Sequence, residues 1–117
     1  MNAEQNGSKT SKTVYLAGKI TDDPHYKSKF SAAAAELEKA GFVVLSPAIL
    51  PPEGFEYDAY IRMSGAMLAE CDAICFLSDW RGSLGAQSER AVAEKFGKEM
   101  FHFDDFKLEL KSGAKRS

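Results

Sequence analysis

Ala73-Ile74-Cys75-Phe76-Leu77-Ser78-Asp79-Trp80-Arg81-Gly82-Ser83-Leu84-Gly85-Ala86-Gln87-Ser88-Glu89-Arg90-Ala91-Val92-Ala93 is the stretch that decides the fold. Its first five residues form an apolar run, Ser78 to Ser83 is a polar loop carrying a glycine, and the remainder reads as a helix. On that helix the apolar side chains are Ala86, Val92, Ala93 and Phe96, and the helical repeat puts Glu89 on or beside the same stripe. A charge directed toward a core needs a reason. A strand, a short loop and a helix N-terminus in this order place Glu89 near the carboxyl edge of a parallel sheet, where open α/β folds bind ligands.

The rest of the chain repeats the alternation. Thr13–Ala17 reads as a buried strand, and 26–40 as a helix with Tyr26, Phe30, Ala33, Ala34, Leu37 and Ala40 on one side, ended by Gly41. Strand two is 42–45, followed by a long loop with Pro47, Pro51, Pro52 and Gly54. A second helix spans about 57–71, with Tyr57, Tyr60, Ile61, Met67, Leu68 and Cys71 on its apolar side. Strand three is 72–77, helix three about 84–96, and strand four roughly 98–103. Strands alternating with helices predict a parallel sheet with right-handed crossovers. The domain is expected at 13–110, between disordered polar tails at 1–12 and 111–117.

Composition excludes several classes. With 117 residues, 44% of them hydrophobic, the chain is one domain able to bury a sizeable core. A net charge of −2, without a basic stripe interleaved with aromatics, gives no reason to expect a nucleic-acid polymer as partner. Cys71 and Cys75 are too few for a disulfide framework and lack the histidines of a zinc site, so they are expected to be reduced core residues of a cytoplasmic protein. No stretch reaches the length of a membrane span, and the N-terminus lacks the apolar segment of a signal peptide. Neither a metal nor a cofactor is expected.

In a parallel sheet the loops after the strands carry the chemistry. Here they are Gly18 to Tyr26, the proline-rich loop, and Ser78 to Ser83, and they should converge. Gly18 lets a ligand approach the backbone, although neither GxGxxG nor GxxxxGK followed by Ser or Thr is present. Ser83 and Gly85 begin helix three and offer a hydroxyl and free N–H groups suited to a phosphate or carboxylate; the alternative is that Ser83 only caps the helix. Glu89 also has two readings. An ionised carboxylate with little water around it can attack an anomeric carbon and form a glycosyl ester. Alternatively it forms a structural ion pair with Arg90, Arg81 or Arg62.

Tyr15-Leu16-Ala17-Gly18 with Thr21 and Pro24-His25-Tyr26, then Ser46-Pro47-Ala48, Tyr60-Ile61-Arg62, Cys71-Asp72-Ala73-Ile74, and above all Trp80-Arg81-Gly82-Ser83-Leu84-Gly85-Ala86 with Glu89 and Ala93 carry a resemblance. From Val14 to His102 the chain resembles the nucleoside 2-deoxyribosyltransferase-like superfamily, and within it a small branch of uncharacterised proteins common in bacteria and their phages. The resemblance implies a single Rossmann-like (flavodoxin-like) α/β domain with a mostly parallel sheet of four to five strands flanked by helices. It implies cleavage or transfer at the N-glycosidic bond of a nucleoside or nucleotide, in a homo-oligomer whose neighbouring subunits complete the site.

Residue roles follow position by position. The glutamate matching Glu89 is the nucleophile of the family, and in the related 2′-deoxynucleoside 5′-phosphate N-hydrolases a serine at the position of Ser83 contacts the 5′-phosphate. Tyr15 and Gly18 match a motif lying against sugar and carboxylate, so Tyr15 orients Glu89 by a hydrogen bond or is simply a core tyrosine. Trp80 and Phe55 are candidates for stacking on a base, Arg62 and Arg81 for pairing with phosphate or Glu89, and Asp22 for binding substrate; Asp72 is structural. The chain departs from the pattern at Lys19, where the branch has proline or a small residue, and at Ser64, where characterised members have an aspartate. A serine hydroxyl is too weakly acidic to protonate a departing base. Either Asp22, Asp23, Asp58 or Asp79 takes over, or the protein binds nucleotides without efficient turnover, as a sensor or sequestering protein.

Overall fold

A computed structural model describes residues 12–112. Strands β1 (Thr13–Ala17), β2 (Val43–Leu45), β3 (Ala73–Phe76) and β4 (Glu99–His102) are connected by helices α1 (Tyr26–Lys39), α2 (Tyr57–Ala69) and α3 (Leu84–Lys95), and α4 (Phe103–Ser112) closes the described chain. All three strand pairings are parallel, in the order β2-β1-β3-β4. The chain leaves β1 toward β2 on one side, then crosses back over β1 to reach β3 on the other. That reversal opens a crevice at the carboxyl ends of β1 and β3.

Strand alternation divides the core in two. Val14, Leu16, Ala73 and Cys75 face α1, packing with Phe30, Ala33 and Leu37. Tyr15, Ala17, Ile74 and Phe76 face the other way, onto Leu68 of α2 and Ala86 and Ala93 of α3. β1 and β3 are buried on both faces, as central strands of a parallel sheet are, which is why they read as continuous apolar runs. Gly41, at φ +101°, ends α1 in a conformation that a side chain would strain. At the amino end of the sheet, Asp72 accepts from the Thr13 N–H and hydroxyl, both at 3.0 Å, tying β3 to β1 far from the crevice. Cys71 and Cys75 are buried and not joined in a disulfide, and burial pushes Cys75 up to about 12.

Two sequence expectations change. The regular elements do not stop at strand four: Phe103 to Ser112 is helical, its Phe106 joins the α1-side core, and Asp104, Asp105 and Lys111 complement the helix dipole. Its end therefore occupies the first positions of the expected C-terminal tail, while residues 1–11 and 113–117 lie outside the described chain. On α3, Ala86 and Ala93 are buried but Val92 and Phe96 are exposed, so the buried stripe is narrower than the apolar residues suggested.

Candidate active site

The site grows from one strand position and one helix position. Tyr15 is the β1 residue turned toward α2 and α3, and it is fully buried. Ser83 caps α3, its hydroxyl accepting from the Ala86 N–H at 3.1 Å, which fixes where the helix begins. With Ala86 and Ala93 against the sheet, the helical repeat turns Glu89 inward. The Tyr15 hydroxyl donates to Glu89 Oε2 at 2.7 Å. The tyrosine is thus no idle core residue.

The electrostatics of this pair are set by burial. Desolvation pushes the Glu89 carboxyl up to about 7, against the opposing hydrogen bonds of Tyr15 and of the neighbouring Ser64 hydroxyl. Burial and then the nearby Glu89 charge raise Tyr15 far above the ordinary phenol range, so it remains a protonated donor. Among the described residues no cation pairs with Glu89. Arg90 reaches Glu94 at 3.3 Å, the Arg81 and Arg90 guanidinium groups lie over the Trp80 ring, and Arg62 is exposed on α2. The structural ion pair expected as the alternative is not formed.

Glu89 opens onto a cavity of about 1270 Å³ whose walls come from the three converging loops and from α2 and α3. This lies above the roughly 300–1,000 Å³ usual for small-molecule sites. Gly18, Asp22, Ser83 and Gly85 line it, together with Lys19, Phe55 and Ser64. Tyr15 supports Glu89 from the sheet. Tyr57 and Ile61, expected on the buried side of α2, are exposed because they form cavity wall. Ser64 is buried, and its nearness to Glu89 and Tyr15 was not legible in the sequence, since it depends on how closely α2 and α3 pack.

Two placements correct the expectations. Trp80 is only 8% exposed, packed with its centroid 4.9 Å from that of Phe76 and 6.3 Å from that of His102, and it lines a separate hollow of about 210 Å³ instead of the cavity. It is not available to stack on a base there. Arg62 also lies outside the cavity, since a turn of roughly 100° per residue carries it away from Ile61 and Ser64, which do line it. Gly18 lines the cavity, and its lack of a side chain also has a packing role. A Cβ there would meet Leu77 Cδ1 at 2.9 Å and Asp79 Oδ1 at 3.2 Å, so the glycine admits the β3 loop against the β1 loop. Ser83 caps α3 and also lines the cavity.

Of the other carboxylates proposed as acids, Asp79 and Asp23 are bound to Lys29, and Asp58 is exposed outside the cavity lining. Asp22 lines the cavity in a left-handed conformation, φ +65°, that aspartate tolerates better than most residues. Among the described residues no group of three or more His, Cys, Asp or Glu is placed to hold a metal, and no helix is long and apolar enough to cross a membrane.

Residues 12–102 match the family model described as "Domain of unknown function (DUF4406)". No curated protein matches the chain in sequence. Among solved structures, the protein described as "2-desoxiribosyltransferase from Leishmania mexicana" superposes with a TM-score of 0.63 at 22% identity, over 78% of this chain and 63% of that one. At that identity the likeness establishes the nucleoside 2-deoxyribosyltransferase-like fold, and this chain spans less than two thirds of the other's length.

Proposed function

The chain belongs to the DUF4406 family and has a deoxyribosyltransferase-like fold, and from that premise we propose that it cleaves, or transfers the sugar across, the N-glycosidic bond of a nucleoside or nucleotide through Glu89. The observation that carries this reading is the Tyr15–Glu89 hydrogen bond at the wall of a large cavity, with no cation among the described residues neutralising the carboxylate. A carboxylate held with little water, and with no cation competing for its charge, is suited to nucleophilic attack.

In the proposed reaction a Glu89 oxygen attacks C1′ as the C1′–N bond breaks, and the bonding pair leaves on the base nitrogen, which takes up a proton. Tyr15 holds the carboxylate in line through its hydrogen bond. Water then cleaves the glycosyl ester, or a second base attacks C1′ and receives the sugar. Besides Glu89, Asp22 is the cavity-lining carboxyl outside the Lys29 pairs among the described residues, and it is the candidate proton donor. Ser83 and the first N–H groups of α3 are suited to an anionic substituent such as a 5′-phosphate. Phe55, 55% exposed on the cavity wall, replaces Trp80 as the candidate base platform. The protein acts in the cytoplasm as a homo-oligomer in this reading.

A second reading rests on Ser64. A hydroxyl beside Glu89 is too weak an acid to protonate a leaving base, so the same cavity also suits a protein that binds a nucleotide and does not turn it over. Incubation with a panel of nucleosides and nucleoside monophosphates, followed by chromatography for free base, separates the two. The enzyme reading expects base release that falls at least about a thousandfold in Glu89→Ala. Absence of release, with a nucleotide that raises the melting temperature, supports the binding protein.

A further inference from the structure

Lys29, in the first turn of α1, touches three groups from two different loops. Its ammonium donates to the Lys19 carbonyl at 2.8 Å and to Asp23 Oδ2 at 2.5 Å, and it is also paired with Asp79. Asp79 accepts in turn from the Lys19 N–H at 3.0 Å. The backbone N–H and carbonyl of Lys19 are therefore both taken up by charged side chains. Lys19 to Asp23 form one wall of the cavity, whereas Asp79 belongs to the β3 loop that leads into Ser83 and the helix bearing Glu89. Gly18 reinforces the junction, because it alone leaves room for Leu77 and Asp79 against the β1 loop.

We propose that Lys29 is a positioning residue that fixes the substrate-binding wall, Lys19 to Asp23, in register with the α3 N-terminus and Glu89. The assignment rests on the nucleoside-processing reading above, but its physical core, a wall held by one ammonium, does not. Lys29 does not face the reacting atoms. Its loss releases the wall while leaving Tyr15 and Glu89, which are fixed from β1 and α3, in contact. The signature is accordingly weaker substrate binding with the chemical step largely retained.

The test pairs Lys29→Met, which removes the charge, with Lys29→Arg, which keeps it. Amide hydrogen exchange is measured on both full-length variants, alongside KM and kcat for the nucleoside or nucleotide that the wild type processes best. In Lys29→Met, exchange at Lys19 should quicken by about tenfold or more while β1 amides are unchanged, and KM should rise by about tenfold with kcat altered by less than about threefold. Lys29→Arg should restore most of the KM. Unchanged exchange at Lys19, or exchange quickened equally throughout the sheet, overturns the proposal. A faster Lys19 amide with an unaltered KM makes Lys29 a loop brace only and also overturns it, while leaving the enzymatic reading intact. If the wild type neither binds nor processes any compound of the panel, both the enzymatic reading and this assignment fall, even where the exchange change is observed.

Discussion

A pair of carboxylates and a lone one flank the same cavity and are treated in opposite ways. Asp23 and Asp79 share the Lys29 ammonium, and the Lys29 hydrogen bond holds the Asp23 carboxyl below its ordinary range. Among the described residues Glu89 accepts from a phenol, with the Ser64 hydroxyl as a neighbour and no paired cation, and burial pushes it up to about 7. The difference does not reflect a shortage of cations, since Arg81 and Arg90 lie on the same structural unit and stack over Trp80 instead. A paired carboxylate holds loops together, whereas an unpaired, half-buried one costs stability and retains reactivity.

Glu89→Gln breaks the comparison most strongly. In the proposed reaction it removes the nucleophile, so base release should be lost, and it removes a buried charge, so the fold should become firmer. The folded protein retains the Glu89 proton up to about pH 7, whereas the unfolded chain releases it near 4.5. The folded state therefore binds more protons between those values, and stability falls as pH rises through that window. Glu89→Gln should gain about 2 to 3 kcal/mol over the wild type at pH 8. At pH 4 the gain should largely vanish. Urea midpoints at the two pH values check this, and a variant less stable than wild type at pH 8 would contradict it.

Tyr15→Phe comes next. It withdraws the hydrogen bond that favours the ionised carboxylate, so the alkaline-rising limb of the rate profile should move to higher pH and the rate near pH 7 should drop by roughly ten- to a hundredfold. Ser64→Ala should act in the same direction with a smaller displacement, because its hydroxyl is the lesser of the two opposing influences. pH–rate profiles of both variants, with substrate saturating, separate the two contributions.

Asp23→Asn sharpens the contrast from the other side and has the smallest expected effect, its ion pair being partly exposed. Here the folded-state value is depressed, so the stabilisation is present above the unfolded value of 3.8 and is lost as pH falls through the folded one. The wild type should exceed the variant slightly at pH 7, and the two should converge in strong acid. Melting temperatures across pH 2 to 8 provide the check, and the slope should be opposite in sign to that of Glu89→Gln.

The order of elements was legible because each strand and each helix carries its own period, and because the glycine- and proline-bearing loops punctuate them. α4 was overlooked although Phe103, Phe106 and Leu110 have helical spacing, since a short apolar run at the end of β4 continues directly into it. Trp80 shows the limit of loop reading. Its position in the chain placed it near the site, but its side chain turns to Phe76 and His102, toward the β4 side of the sheet.

By itself the sequence determined that this chain is an α/β domain with a parallel sheet, and that Glu89 lies on the inward side of a helix beginning at the sheet's carboxyl edge, because periodicity and capping are local properties of the chain. Only the tertiary structure decided that Glu89 meets Tyr15, that Ser64 stands beside them, and that Lys29 takes up Asp23 and Asp79. Those pairings join residues of different elements, several of them far apart in the chain. Their distances, and the burial that raises Glu89, follow from how helices and loops pack on the sheet, which no local pattern encodes.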